Sequence, residues 1–201
     1  MLAFELKETE RVDLLPHLRT FCTKGYGQEQ TAKVDGSLAW LHAMRQSLDT
    51  IRGYVGLEQA KDTYGRWLNC CQLIESRFPN TKQHMMFTWK DAFRPKTTSK
   101  RDCGLPYEKI AIIFNIGAIH SKLGAQQDRG SVDGTKKAIR HFCFAAGTFN
   151  FVRENVPSGT TTGDLSEYSL KMCSAIMLAQ AQSCFYEKAV KEGHNRSLLA
   201  K

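Results

Sequence analysis

Histidines and cysteines are the residues of this sequence that could ligate a metal or act as nucleophiles. No two of the histidines have the i, i+4 spacing that places a pair of imidazoles on one face of a helix. They are His17, His42, His84, His120, His141 and His194. The motifs H-E-x-x-H, G-x-x-x-x-G-K-[ST] and G-x-S-x-G do not occur. The spacing therefore predicts neither a metal centre nor a nucleophilic hydrolase.

The seven cysteines are odd in number and irregularly spaced, with Cys70 next to Cys71 and no C-x-x-C. This usage favours reduced cysteines that pack in a core over disulfides or a zinc site. Cys103 has Arg101 before it, whereas a tyrosine phosphatase needs the arginine at the end of the loop that follows the cysteine. We therefore expect no catalytic residue, no metal and no cofactor.

The chain is basic, with 28 lysines and arginines against 20 acids and a formal net charge of +8. Between Lys82 and Arg101 there are six basic residues and one acid, Asp91. This segment is either a solvated loop or a surface that attracts an anionic membrane or an acidic partner. Nucleic acid ranks below both, because no recognition motif accompanies the charge.

Four residues are candidates for a partner-binding surface. Lys136 and Arg140 lie one helical turn apart and point the same way, which fits either a solvated face or a basic contact. Phe185 fits a core position on periodicity alone. Leu198 forms a short apolar pair with Leu199, and its position fits packing and binding equally well.

The elements that would position these side chains are mostly helices. Asp13 is expected to cap a first helix, and Asp164 to cap a sixth one that runs to about residue 191. Apolar positions recur every three or four residues in the segments between them, which predicts four more helices. These cover about residues 28–54, 57–77, 107–126 and 135–156.

Two short strands and two glycines complete this prediction. Residues 2–6 and residues 85–90 alternate between apolar and polar side chains, which predicts two strands that share a small sheet. Residues 95–104 are expected to form a loop. Gly117 and Gly124 lower helix propensity, and the close approach of a neighbouring helix is the best explanation for them.

The sixth helix is apolar around much of its circumference. Cys173, Met177 and Cys184 form one line, while Leu178 and Phe185 form another about 100° away. A helix that is apolar on two faces needs neighbours on two sides, so a layered array is expected instead of a simple four-helix bundle.

Several segments together resemble the Bro-type domain family of endosomal-sorting scaffolds, which includes Alix, rhophilin and the His-domain non-receptor tyrosine phosphatase. The most specific are M-L-A-Q-A-Q-x-x-F-x-x-K-A from Met177 to Ala189 and Y-E-K-I-A-I-I-F-N-I-G-A-I-H-S from Tyr107 to Ser121. F-T-W-K-D-A-F from Phe87 to Phe93 and F-E-L-K-E-T-E-R-V-D-L from Phe4 to Leu14 also resemble family segments.

The resemblance implies a mainly α, boomerang-shaped domain with tetratricopeptide-like helix packing and a small N-terminal β-sheet. It implies a non-catalytic scaffold that binds the C-terminal amphipathic helix of an ESCRT-III subunit, a charged multivesicular body protein. Carried over by alignment, Phe185 and Leu198 fall on the apolar patch and Lys136 and Arg140 on its basic flank. Further patch leucines of the family would lie beyond Lys201, so residues 1–201 are expected to be such a domain truncated on its C-terminal side.

The expected location is the cytoplasm, with recruitment to endosomes. The acidic N-terminus does not resemble a signal peptide, and the sequence contains no run of 18 apolar residues that could span a membrane. Two alternatives remain open: a basic module that binds anionic membranes directly, and the non-catalytic head of a larger tyrosine phosphatase or Rho-binding protein.

Overall fold

Six helices dominate a computed structural model of the chain, which describes residues 1–51, 56–78, 85–96, 99–159 and 162–193, with only the backbone described for residues 100–103. The helices are α1 (Leu15–Tyr26), α2 (Gln28–Gln46), α3 (Leu57–Arg77), α4 (Leu105–Gln126), α5 (Val132–Asn155) and α6 (Glu167–Lys191). A 3-10 turn, Ser47–Thr50, continues α2. The prediction of a mainly helical protein is confirmed.

Neither aspartate caps the helix for which it was predicted. Helix α1 starts after Leu14 with no side-chain cap, and Pro16 occupies its first turn. Helix α6 is capped by Ser166, whose hydroxyl accepts a hydrogen bond from the Ser169 N–H. Asp164 is fully buried instead, where it forms an ion pair with Lys7. A cap position specifies only a short acceptor, so tertiary contacts decide which candidate is used.

The small sheet differs from the prediction. Strands β1 (Met86–Lys90) and β2 (Ser99–Cys103) form an antiparallel hairpin in which Met86 faces Cys103 and Lys90 faces Ser99. Residues 99–103 were expected to lie in a loop, because Ser-Lys-Arg-Asp-Cys has no apolar alternation. The β1 strand itself is confirmed.

The predicted strand at residues 2–6 is absent. The N-terminal chain joins the sheet further on, where Thr9 bridges Trp89 and the Lys90 N–H donates to the Glu8 carbonyl at 2.8 Å. Earlier residues bond to helix side chains instead. Asn115 of α4 accepts from the Lys7 N–H at 2.7 Å and donates to its carbonyl at 2.9 Å, and Ser121 accepts from the Phe4 N–H. These side chains satisfy the backbone groups that a strand would have paired.

A buried polar cluster lies where α2, α3, α4 and the hairpin meet. The Glu108 carboxylate accepts hydrogen bonds from the indole N–H groups of Trp67 at 2.8 Å and Trp89 at 2.7 Å. The Arg45 guanidinium lies 2.6 Å from the same carboxylate and also donates to Thr9 at 2.7 Å. Glu108, Arg45 and both indoles are excluded from solvent. One carboxylate therefore connects three helices and the hairpin.

Close packing of α5 on α4 explains the glycines of α4. A Cβ atom at Gly117 would lie 3.1 Å from the Thr148 side chain, and one at Gly124 would lie 2.8 Å from the Phe142 ring. The predicted close approach of a neighbouring helix is confirmed at both positions. Consecutive helices pack on one another, α3 on α4, α4 on α5 and α5 on α6, as expected of a layered array.

Helix α6 buries one of its two apolar lines. Cys173, Met177 and Cys184 are fully buried, whereas Leu178 and Phe185 are about half exposed. Within the described residues, α5 is the helix that packs along α6. No helix in this part of the chain combines the length and apolar character needed to cross a bilayer.

Candidate partner-binding surface

The turn between α4 and α5 fixes the basic end of α5. Ser131 caps α5 by accepting a hydrogen bond from the Gly134 N–H at 3.0 Å. A side chain at Gly134 would overlap the Asp128 carbonyl, so this tight turn requires a glycine. The capped first turns carry Lys136 and Arg140, both exposed.

The C-terminal end of α6 is held against this turn. Arg129 pairs with Glu187 at 2.8 Å, and the Lys191 ammonium donates to the Arg129 carbonyl and to the Thr135 hydroxyl. The two helices are therefore antiparallel, with the start of α5 beside the end of α6. With this register and a rise of 1.5 Å per residue, Arg140 lies at about the level of Phe185.

Leu178 and Phe185 of α6 lie on the same side of this helix pair as the two cations of α5. The N-terminal segment covers the inner side, where Phe4 contacts Phe149 of α5 with ring centroids 5.3 Å apart and Gln180 of α6 donates to Leu2. Phe185 points about 140° away from Gln180 around α6. We call the opposite side the α5–α6 outer face and define it by Lys136, Arg140, Phe144, Leu178 and Phe185.

The electrostatics of the outer face are positive. Asp133 pairs with Lys137 at 2.8 Å, and its pKa is lowered by this hydrogen bond and, further, by the fields of Lys136 and Arg140. In the part of the chain that the structure describes, neither Lys136 nor Arg140 has a carboxylate at ion-pair distance. Both cations are thus available to acidic groups of a ligand.

The four predicted contact residues have different outcomes. Phe185 is 48% exposed, a position suited to contact and not to the core. Lys136 and Arg140 are exposed at the end of the α5–α6 pair where Phe185 lies. Leu198 lies outside the described residues. The sequence analysis did not include Phe144. Phe144 and Phe151 lie seven residues apart on α5 and outside the buried stripe that contains Phe142 and Phe149. This spacing indicates a pair of exposed apolar side chains on one face of the helix.

A pair of histidines supports Phe144 from the α4 side. The Nδ1 atoms of His120 and His141 lie 2.9 Å apart, and the His120 ring packs on Phe144 with centroids 4.0 Å apart. Burial, with repulsion from His141 and Lys61, lowers the pKa of His120 to about 4, and Glu58 opposes this change. Burial and Lys61 also lower the pKa of His141, against Glu58. Among the described residues, no cluster of three or more side chains suited to a metal is present.

We expect the histidine pair to make stability depend on pH. In the unfolded chain an imidazole titrates near pH 6.5, whereas folded His120 stays neutral to about pH 4, so the unfolded state binds more protons between these values. The free energy of unfolding should fall with falling pH over this window. After discounting for solvent screening, the loss from pH 7 to pH 5 should be on the order of 1 kcal/mol.

Urea unfolding of the protein and of His120→Asn at pH 7 and pH 5 measures this loss. The variant should show a smaller difference between the two pH values, because it lacks one of the two titrating groups. Parallel pH profiles for the two proteins would contradict the assignment.

Comparison with known proteins gives matches over the whole chain. A family model described as BRO1-like domain matches residues 1–201. ALG-2 interacting protein X of Dictyostelium discoideum is 30% identical over 206 residues, which cover 100% of this chain and 25% of that protein. Vacuolar protein-sorting protein bro1 of Aspergillus fumigatus is 36% identical over 205 residues, which cover 100% of this chain and 20% of that protein.

A solved structure described as "ALIX BRO1 CHMP4C complex" superposes with a TM-score of 0.87 at 30% identity. The match covers 100% of this chain and 59% of the solved chain. The chain thus spans a quarter or less of the length of the two relatives and less than two thirds of the solved chain. The family model matches all of its residues, so the chain belongs to the BRO1-like domain family.

Proposed function

We propose that this chain is a non-catalytic interaction domain that binds the C-terminal amphipathic helix of an ESCRT-III subunit of the charged multivesicular body protein class. This proposal depends mainly on the position of Phe185. Its aromatic side chain is half exposed, at the same end of the α5–α6 pair as the cations Lys136 and Arg140. The similarity to the BRO1 chain of a complex described as containing CHMP4C supports this choice of ligand.

The outer face has the chemistry of helix-in-groove recognition. Leu178 and Phe185 lie seven residues apart on α6, two turns that match the spacing of apolar side chains on one face of a ligand helix. Arg140 and Lys136 on α5 can pair with acids beside that apolar face. Their basic charge selects an acidic amphipathic helix over a basic one.

The proposed location is the cytoplasmic surface of endosomes. A relative that is 36% identical is named as a vacuolar protein-sorting protein, which supports a role in membrane traffic. Recruitment there would follow from binding a membrane-associated ESCRT-III polymer. Microscopy of tagged protein, with and without the Phe185→Ala change, tests the location separately from the affinity.

Replacing Phe185 with alanine should weaken binding of the ESCRT-III helix by about thirtyfold. Truncation of an aromatic residue at the centre of an interface commonly costs about 2 kcal/mol or more. Titration calorimetry with a synthetic C-terminal peptide of a charged multivesicular body protein measures this loss. Tyr168→Ala is the matched control, because this aromatic residue is also exposed on α6 but lies 17 residues away, about 25 Å along the helix.

The remaining contact residues give smaller and distinguishable effects. Lys136→Ala and Arg140→Ala should each weaken binding less than Phe185→Ala does, and the loss should shrink as salt screens these exposed charges. Leu198→Asp should also weaken binding, because the family resemblance assigns Leu198 to the apolar patch. Equal affinities for wild type and Phe185→Ala, with unchanged circular dichroism, would contradict the proposal.

Sedimentation with anionic vesicles separates the rival function. Direct membrane binding depends on net charge, so added salt should abolish it and Phe185→Ala should leave it intact. Binding of the ESCRT-III helix should instead persist in added salt and be weakened by Phe185→Ala. Vesicle binding without peptide binding would therefore favour the basic-module alternative.

A further inference from the structure

A second apolar groove lies among the first three helices, apart from the α5–α6 outer face. Helix α2 packs along α1 and touches α3 only sparingly, while α3 packs on α4. The space between α2 and α3 has a volume of about 1100 Å³. Its floor is formed by buried Leu38 and Ile74 and by the rings of Phe21 and Phe78, whose centroids are 4.9 Å apart.

The exposed rim of this groove combines large apolar side chains with polar ones. Tyr26, Val34, Trp40 and Leu73 all line it, and each is between 42% and 65% exposed. Large apolar side chains that gather around one concavity are uncommon on a monomeric surface and mark interaction sites. None of these residues belongs to the α5–α6 outer face.

The lining selects a helix over an extended segment. The described lining is helical except for Phe78, which directly follows α3, and it contains no strand residue. Two of its hydroxyls already bond within their own helices, Thr31 to the Gly27 carbonyl at 2.8 Å and Ser76 to the Leu73 carbonyl at 3.0 Å. The described lining therefore offers an extended ligand no strand to pair with, whereas a helical ligand satisfies its own backbone groups.

The charge of the groove selects the polarity of that helix. Arg77, the last residue of α3, is the one charged side chain among the lining residues that the structure describes. In the same part of the chain no carboxylate pairs with it. A ligand carboxylate beside Arg77 would gain a charge-assisted hydrogen bond and would lie close to a cation at the edge of an apolar surface.

We propose that this groove docks an amphipathic helix of a partner protein, with apolar side chains on Trp40 and Leu73 and a carboxylate against Arg77. The wall formed by Gln30, Val34, Ser37 and Leu41 of α2 repeats at intervals of four, three and four residues. It spans about 16 Å, or about three turns of a ligand helix. The groove is a docking site separate from the one that contains Phe185.

Trp40 provides a specific optical probe for the test. The chain has three tryptophans, and Trp67 and Trp89 are fully buried. A helical peptide of about 15 residues, with leucines on one face and glutamates beside them, should therefore shift Trp40 emission to the blue in a saturable way. Leu73→Asp should weaken this binding about tenfold or more, because it places a charge on the apolar contact.

Charge reversal tests the polarity of the groove. Arg77→Glu should weaken binding of the glutamate peptide and strengthen binding of a matched peptide with lysines in place of the glutamates. Phe185→Ala should leave the Trp40 titration unchanged. Leu73→Asp should leave the affinity for the ESCRT-III peptide unchanged. These two controls distinguish failure of the docking proposal from failure of the proposed function. Far-UV circular dichroism verifies that each variant is folded.

Three results would overturn the docking proposal. The first is the absence of a saturable Trp40 shift, and the second is equal affinity of the peptide for wild type and Leu73→Asp. The third is a Trp40 shift that depends on protein concentration without peptide, together with dimer formation in sedimentation. That third result would assign the groove to another copy of this chain.

Discussion

Replacing Glu108 with alanine is expected to lower the free energy of unfolding by about 5 kcal/mol or more, which is comparable to the whole stability of many domains. The change leaves the fully buried Arg45 guanidinium without a counter-ion, and breaking a buried ion pair in this way costs about 3–5 kcal/mol. It also leaves the buried indole N–H groups of Trp67 and Trp89 without an acceptor, at about 1–3 kcal/mol each. Urea unfolding followed by far-UV circular dichroism measures this loss of stability. If the loss exceeds the stability of the wild-type protein, little soluble protein is expected.

Two variants separate charge from packing in this cluster. Glu108→Gln keeps an acceptor oxygen for one indole but removes the charge, so it should destabilise less than Glu108→Ala. The double change Arg45→Met with Glu108→Leu removes both charges and should recover part of the stability. A free energy of unfolding for Glu108→Ala within about 1 kcal/mol of wild type would mean that Arg45 finds another partner or water on mutation.

Replacing Asp164 with alanine is expected to cost about 3–5 kcal/mol. Asp164 forms a fully buried ion pair with Lys7 and accepts a hydrogen bond from the Ala92 N–H at 2.6 Å. Burial lowers the pKa of Lys7, and Asp164 is the main group that opposes this change. Without Asp164 the ammonium must therefore remain charged without its main counter-ion or lose its proton, and either outcome destabilises the fold. Urea unfolding at pH 7 gives the magnitude.

A pH series identifies which of the two outcomes occurs. If Lys7 loses its proton in the folded Asp164→Ala protein, its folded pKa lies below the unfolded value. Stability of the variant should then rise with pH toward the unfolded pKa, because the unfolded state binds the extra proton. The double change Lys7→Met with Asp164→Ala should abolish this rise. A variant as stable as wild type, with no added pH dependence, would show that the pair contributes little.

The Lys7–Asp164 pair belongs to a set of contacts that hold the N-terminal segment against the helices. Lys7 and Asp164 connect the N-terminal segment to the residues just before α6. Asn115 of α4 bonds to the backbone of the same segment and to the Tyr64 hydroxyl of α3. These contacts fix the start of α6, while the Arg129–Glu187 pair holds the end of α6 that carries Phe185 beside the start of α5.

Sequence periodicity predicted most of the helices well, because a helix that buries one face repeats its apolar residues every three or four positions. The exception is α2, which ends at Gln46 and not near residue 54 as predicted. Helix α3 has the predicted bounds, residues 57–77, and α5 ends at Asn155, within one residue of the prediction. The two glycines of α4 predicted a close helix contact, which Thr148 and Phe142 provide. Local motifs also identified the family, which the family model confirms.

The errors fall where tertiary contacts replace local signals. Strand β2 is a polar segment whose place is set by pairing with β1, so no alternation marks it. Residues 2–6 alternate as a strand would, yet side chains of α4 satisfy part of their backbone. Asp164 has the residue type of a helix cap, but Lys7, 157 positions earlier in the sequence, holds it in the core. A short window of sequence contains none of these partners.

By itself the sequence determined the helical class, the family and which face of each amphipathic helix is apolar, because these depend on residue type and on spacing along one element. Only the tertiary structure decided which apolar face stays exposed. Cys184 and Phe185 are neighbours in the sequence, yet one is fully buried against α5 and the other is half exposed. The tertiary structure also brings together two pairs of residues that are far apart along the chain, His120 with His141 and Arg45 with Glu108. Contacts of this kind depend on how the helices are placed relative to one another, and periodicity along a single helix does not specify that placement.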